Sequence, residues 1–327
     1  MLRKKIWVLL SITLLLLLVG CAGTKPAQQP ALDDHKEAIG KEIINVGVLQ
    51  GPTGMGIVKL MEEENYNIEI VGSPDDLIGK IITGEIDLAA MPTNMASILY
   101  QRTGQKIQLL AINTLGVLYI LENGEEIGTI ADLKGKTLYV SGKGATPDYV
   151  IQYLLEEHGL TPGKDVILDF STQHADLAAI MAAGQHDLAL LPQPHVTSVL
   201  MQNKDVRIAL DLTKEWKDIL NAELPMGVLI GQKDFIDSNE NLLSAFLEEY
   251  QKSIEFVNTN TDEAAELIAK HKILPNAQIA KNAIPYSNIV YIDAQSGKSS
   301  LHEFFSILYA YNPESIGGQI PDDGFYY

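Results

Sequence analysis

Residues 76–99 and 176–199 repeat one another at a shift of one hundred positions. Asp76, Leu77, Gly84 and Pro92 meet Asp176, Leu177, Gly184 and Pro192, and the run Asp87, Leu88, Ala89 meets Asp187, Leu188, Ala189. Each copy reads as a helix, a glycine stop, a short buried strand, and a proline that starts another helix. A second correspondence, at a shift of 93, lies just upstream of each copy. The apolar run 43–49 ends in GPTGMG at 51–56, and the run 137–140 ends in SGKGATP at 141–147, so Gly51 meets Gly144 and Thr53 meets Thr146. Helices are expected at 55–64 and 147–158, the second with Thr146 as its N-cap and Pro147 in its first turn. Two copies of a β–turn–α…α–β–turn–α unit predict two α/β lobes, each with a mostly parallel sheet. Ligands of such sheets sit beyond the carboxyl ends of the strands. Two lobes facing each other would make a cleft lined by four helix N-termini, each with unpaired N–H groups and a partial positive charge.

The rest of the chain places the division between lobes. Residues 108–113 read as the strand that closes the first lobe, and 115–121 as the first strand after a crossing. The second lobe ends near Asp211, after the run 206–210, and Pro225, Met226 and the apolar 227–230 mark the return. Beyond that, 239–258 carries Leu242, Leu243, Phe246, Leu247, Tyr250, Ile254 and Val257 at near-helical spacing, with Ser238 or Asn239 able to cap it. Further helices are expected at 261–272, 277–283 and 299–310. Lobe one is therefore 43–114 with 213–327, and lobe two is 115–212.

The first residues carry a different signal. Arg3, Lys4 and Lys5 precede an apolar run from Ile6 to Val19, too short for a comfortable membrane span. The run ends Leu18, Val19, Gly20, Cys21, and Cys21 is the chain's single cysteine. This resembles a bacterial lipobox, which implies a signal peptide over 1–20, lipidation of Cys21 and an anchor on the extracytoplasmic face of the cell membrane. Residues 22–42 are small, polar and proline-dotted, so 21–42 reads as a flexible tether. One cysteine leaves no disulfide. Without the three basic leader residues, 21 basic stand against 42 acidic ones, a formal charge of −21. So acidic a surface argues against nucleic acid as a partner. It does not exclude a small anion, since local backbone donors outweigh distant surface charge.

Taken together, the lipobox, the 51–56 turn, GEIDLA at 84–89 with its repeat, DLKGK at 132–136 and PDDGFYY at 321–327 resemble the lipoprotein solute-binding subunits of ABC importers in the nitrate/sulfonate/taurine group, which includes binders of pyrimidine thiamine precursors. The resemblance spans nearly all of the chain after Cys21. It implies an α/β, type II periplasmic-binding-protein fold: two α/β lobes, a two-segment hinge, and a ligand cleft that closes on its solute. It also implies a cognate permease and ATPase, and a monomeric subunit with no cofactor.

Candidate ligand contacts follow from the helix starts and crossings. Gln50, Thr53, Gly54 and Met55 form the first-lobe turn, where Thr53 offers a hydroxyl, Gly54 and Met55 offer N–H groups, and Met55 has an apolar surface for a ligand. A dinucleotide reading fails, because GxGxxG is absent and Pro52 would disturb the turn. Thr93 and Asn94 open the second helix of lobe one, as N-cap or as readers of a polar headgroup. Asn113 and Met226 sit at the two crossings. Lys143, Gly144, Ala145 and Thr146 form the second-lobe cradle, with Lys143 either pairing with an anion or solvated. Gln193 and His195 are the repeat equivalents of Thr93 and Met95; His195 contacts ligand or caps its helix. The other histidines lack paired metal-ligand spacing, no HExxH occurs, and no metal site is implied. No nucleophile–histidine or paired-carboxylate constellation supports catalysis. An enzyme on the same fold, or a sensor that presents its closed form to a receptor, are the rival readings. Sulfonate, nitrate-like oxyanion and heteroaromatic ligands stay open.

Overall fold

The strands run β1 (Ile44–Leu49), β2 (Tyr66–Val71), β3 (Leu88–Pro92), β4 (Ile107–Thr114), β5 (Leu118–Asn123), β6 (Thr137–Val140), β7 (Ile167–Asp169), β8 (Leu188–Pro192), β9 (Val206–Asp211), β10 (Gly227–Gln232) and β11 (Ile289–Asp293). They come from a computed structural model that describes residues 43–71 and 73–327; the expected signal peptide, the tether and Cys21 lie outside the described residues. One sheet has the order β2-β1-β3-β10-β4-β11 and the other β7-β6-β8-β5-β9. The two orders match over five positions, and β11 is an additional edge strand of the first sheet. β1 runs parallel to β2 and β3, as β6 does to β7 and β8. The fourth strand of each sheet arrives directly after a crossing and runs antiparallel to both neighbours: β10 between β3 and β4, β5 between β8 and β9. The duplication seen in the sequence is thus a duplication of topology, with each half lending a strand position to a segment that has just crossed over.

The strands next to the helices are apolar along their whole length because helices cover both faces. β3 and β8 are buried from Leu88 to Met91 and from Leu188 to Leu191. Gly47 in β1 lets Leu77 and Ile86 close in; a Cβ there would stand 2.4 Å from Leu77 Cδ1. Helix Pro74–Thr83 is capped by Ser73, whose Oγ accepts from the Asp76 N–H at 3.2 Å, and ends at left-handed Gly84 (φ +80°). Its counterpart His174–Ala182 is followed by left-handed Gly184 (φ +68°).

Helix Ala294–Tyr311 lies on the first sheet and reaches helix Thr146–Glu157, which covers the second. Its buried Phe304, Phe305 and Leu308 belong to one continuous apolar cluster with Trp216, Tyr149, Val150 and Leu154. The Trp216 and Phe304 rings lie 6.3 Å apart. The two sheets therefore share core on this side as well as being joined by chain crossings.

Several local expectations need correction. No helix spans 55–64. A four-residue helix Pro52–Met55 is followed by a short 3-10 turn, Leu60–Glu62. Gly54 and Gly56 weaken helix formation, β-branched Ile57 and Val58 add nothing to it, and tight packing at Gly56, where a Cβ would meet Ile254 Cγ1 at 2.8 Å, sets the path instead. Thr146 is the first helical residue of Thr146–Glu157, and Ala145 takes the cap position. The helix expected at 299–310 begins at Ala294, because Asp293 Oδ1 accepts from the Ser296 N–H at 2.9 Å. Helix Leu212–Leu220, capped by Asp211 and carrying Trp216 inward, fills the return crossing that the sequence reading left without an element.

Candidate functional site

The residues singled out from the sequence stand near the carboxyl ends of β1, β3, β6 and β8 and the crossings beside them, and two of them, Gln50 and His195, line one cavity. A cavity of about 370 Å³ is lined by Gln50, Gly51, Lys272, Ile273, Leu274 and Pro275 from the side of the first sheet and by Pro194 and His195 from the side of the second. Gly51 (φ +99°) turns the chain off β1, and its N–H donates to the Ile273 carbonyl at 3.2 Å. Gln50 Nε2 donates to the Lys272 carbonyl at 3.3 Å. These two bonds hold the 272–275 loop against the first turn. Nothing in the repeat pointed to that loop, which follows helix Thr261–Lys270 rather than a strand.

Thr93 and Gln193 occupy places related by the internal repeat, each just after a strand, β3 or β8. The Thr93 N–H donates to the Met226 carbonyl at 3.2 Å, beside the return crossing, and the Gln193 N–H donates to the Val117 carbonyl at 2.9 Å, beside the outward crossing. Thr93 is 1% exposed and Gln193 3%. Gln193 Oε1 accepts from Thr197 Oγ1 at 2.8 Å and from the Thr197 N–H at 3.3 Å. That pair of bonds fixes which way the carboxamide points. Its Nε2 is left buried with no partner among the described residues, and so is Thr93 Oγ1. Buried polar atoms without partners are uncommon and costly. Here two occur at positions related by the internal repeat.

His195 opens helix His195–Gln202, and its ring stacks on His174, centroids 5.7 Å apart and planes 25° from parallel. His174 Nδ1 is hydrogen-bonded to Ser141 Oγ at the end of β6. Burial holds both imidazoles below the ordinary histidine range, and for His174 the neighbouring His195 adds to the effect. In the sequence, His174 was set aside with the other histidines for want of metal-ligand spacing, and Ser141 was read only as part of the second-lobe turn. The signal for them is positional, since each stands where a second-sheet strand gives way to a helix or turn. Arginine is absent from the cavity lining: Arg207 is engaged by Glu122, and Arg102 closes helix Thr93–Arg102 on the far side of its start. The polar side chains that line the cavity are the Gln50 amide, the His195 imidazole and the Lys272 ammonium.

Other expected contacts are committed to the fold. Met55 is fully buried in the first-sheet core with Ile57 and Ile254, so its side chain is taken up by packing. Gly54 is required by packing: a Cβ there would stand 2.3 Å from the Leu49 carbonyl oxygen. Asn113 Nδ2 donates to the Thr53 carbonyl at 3.2 Å and to Tyr250 Oη at 3.0 Å, and its Oδ1 accepts from Thr114 Oγ1. The Gly144 N–H donates to Asp148 Oδ2 at 2.9 Å and the Ala145 N–H to the Gly142 carbonyl, so these cradle donors are already satisfied by their own helix start. Lys143 is exposed, its Nζ 5.8 Å from the Phe170 ring centre. Asn94 Nδ2 donates to the Ser315 carbonyl at 3.3 Å. Thr53 is half-buried with its methyl against Gly227, Thr146 is 8% exposed at its helix start, and half-buried Met226 links Thr93 to the Thr114 carbonyl. The four helix starts expected around the cleft reduce to three, because Pro52–Met55 is a single turn.

Two sheets of matched order, joined by crossings and meeting over polar strand ends, are the architecture of periplasmic binding proteins. The solved structures agree. An ABC transporter structure from Parabacteroides distasonis is 25% identical, with a TM-score of 0.76 over 88% of this chain and 99% of that one. The aliphatic sulphonate binding protein SsuA of Escherichia coli is 17% identical, with a TM-score of 0.70 over 88% of this chain and 92% of its own. The nitrate-binding protein NrtA of Synechocystis is 16% identical, with a TM-score of 0.60 over 83% and 82%. Residues 62–264 match the NMT1/THI5-like family, and the chain belongs to that family. The Bacillus subtilis protein YtlA is 22% identical over 207 residues, which are 61% of this chain and 60% of YtlA, less than two thirds of that relative's length.

Proposed function

We propose that this chain is the extracytoplasmic, lipid-anchored substrate-binding subunit of an ABC importer. It captures a small anionic or heteroaromatic solute between lobes 43–114 with 213–327 and 115–212, and delivers it to a permease. The observation that carries this reading is the repeat-related pair of unpartnered buried groups, Thr93 Oγ1 and Gln193 Nε2, one from each sheet and each beside a crossing. A solute that accepts from the Gln193 amide and bonds the Thr93 hydroxyl satisfies both at once. It bridges the lobes, and that differential contact shifts the hinge toward its closed form. Anchoring through Cys21 and partnership with a permease and an ATPase belong to the same proposal.

The test is native mass spectrometry of the purified protein, with the co-purified small molecule identified. An adduct is expected, and Gln193→Leu should weaken its binding at least about tenfold, the worth of one buried hydrogen bond to a fixed donor. A protein that carries no solute and shows no thermal shift with sulfonates, oxyanions or nitrogen heterocycles would sink the proposal. Chemical turnover of the bound molecule would move it to the enzyme reading.

A further inference from the structure

The C-terminal segment 311–316 touches two helices that belong to different sheets, Thr93–Arg102 and Thr146–Glu157. On the first-sheet side, Asn94 Nδ2 donates to the Ser315 carbonyl at 3.3 Å and Ser97 Oγ to the Ile316 carbonyl at 2.7 Å, both from helix Thr93–Arg102. Left-handed Gly317 lets the segment press close, since a Cβ there would lie 3.0 Å from Ile98 Cα. On the second-sheet side, Tyr311 Oη donates to Glu156 Oε2 at 2.5 Å, and Asn312 Nδ2 donates to Tyr149 Oη at 3.1 Å. Tyr149 Oη in turn donates to the Gly144 carbonyl at 3.0 Å. The Tyr149 and Tyr311 rings stack at 6.1 Å, and Tyr149 is only 5% exposed.

These contacts form one relay. Its ends are Asn94, next to the unpartnered Thr93, and Gly144, in the turn that leads into Thr146. From this geometry we infer that the C-terminal segment is a hydrogen-bonded tie between the lobes beside the chain crossings, and that Tyr149 is a positioning residue that transmits the tie to the 142–146 turn. Each link is directional. Asn312 Oδ1 turns to the Glu314 N–H, which leaves its Nδ2 facing Tyr149 Oη as the donor. That donation leaves the Tyr149 proton to the Gly144 carbonyl. The hydroxyl thus sets the turn according to where the C-terminal segment stands, and the segment is itself held to the start of the Thr93 helix. Hinge motion at the two chain crossings has to move or break this relay. The inference rests on the cleft reading above for its purpose, but not for its test.

The test is amide hydrogen exchange on the full chain without added solute. Tyr149→Phe removes the hydroxyl and keeps the ring. Asn312→Asp keeps the acceptor for the Glu314 N–H but offers Tyr149 a carboxylate, which draws its proton away from Gly144. Both variants should speed exchange across 144–148 about tenfold or more while β8 stays protected, and the double variant should do no more than either single one. Unchanged exchange over 144–148 in both variants would overturn the inference. Equal acceleration in β8 would do so too, since it marks general loosening. Because no solute enters the measurement, its result stands apart from whether the chain transports one.

Discussion

Thr93 and Gln193 show how a buried side chain can be poor for folding and useful for binding. Thr93 Oγ1 gives up hydration and gains no partner among the described residues. Replacing it with isosteric valine removes that cost. Thr93→Val should therefore raise the stability of the solute-free protein by about 1 kcal/mol in urea unfolding, while lowering affinity for the co-purified solute. A variant that loses stability, or gains it with affinity intact, would mean that the hydroxyl serves packing alone. His174 and His195 make the opposite kind of statement. Their folded proton affinities are depressed by burial, so the unfolded chain takes up protons near pH 6.5 while the folded chain does not. The stability they contribute is intact above pH 6.5 and is lost as pH falls toward their folded values. Urea midpoints should drop between pH 7 and pH 5, and His174→Gln should flatten that drop. Both roles depend on which atoms end up buried and unpaired. The helix-start positions of Thr93, Gln193 and His195 were readable from the repeat, but the orphaned atoms and the His174 stack were not.

At the scale of elements, the turn after β5 is held by a carboxylate that the fold has nearly enclosed. Glu122 is 4% exposed and accepts from the Glu126 and Ile127 N–H groups and from the Arg207 guanidinium of β9. Arg207 also donates to the Gly124 and Ile127 carbonyls, so it fastens the whole turn to the sheet edge. Arg207→Met should destabilise the protein by about 2 kcal/mol, below the roughly 3–5 of a fully enclosed pair because Arg207 keeps part of its side chain in water. Adding Glu122→Gln should recover much of that loss in thermal unfolding, since the amide oxygen still serves the turn without an unpaired charge. Helix ends marked by strong local chemistry, such as Gly84 and Gly184, were legible in advance. The failed helix at 55–64 was not, because the competing influence there is Ile254, distant in sequence and visible only once the chain has packed.

For the whole molecule, the closure proposed above would run through the two chain crossings near 114–118 and 211–227 that the exchanged fourth strands leave. The shared apolar cluster around Trp216 and Phe304 puts a packed contact beside them, so closure should pivot there rather than separate the lobes freely. Small-angle scattering should show the radius of gyration shrinking by about 1 Å when the co-purified solute is restored to stripped protein, as hinge closure of two lobes requires. An unchanged radius at saturation would argue for a rigid receptor.

The sequence by itself determined the duplicated α/β plan, the crossings and the family, because periodic apolar runs, glycine stops and helix-starting prolines act over a few residues and survive in both copies. Only the tertiary structure decided which candidate polar groups were free to meet a solute. Asn113, Gly144 and Asn94 were claimed by Tyr250, Asp148 and the C-terminal segment, while Thr93 Oγ1 and Gln193 Nε2 were left without partners among the described residues. Hydrogen-bond capacity is allotted among neighbours in space, and a linear chain does not reveal who those neighbours are.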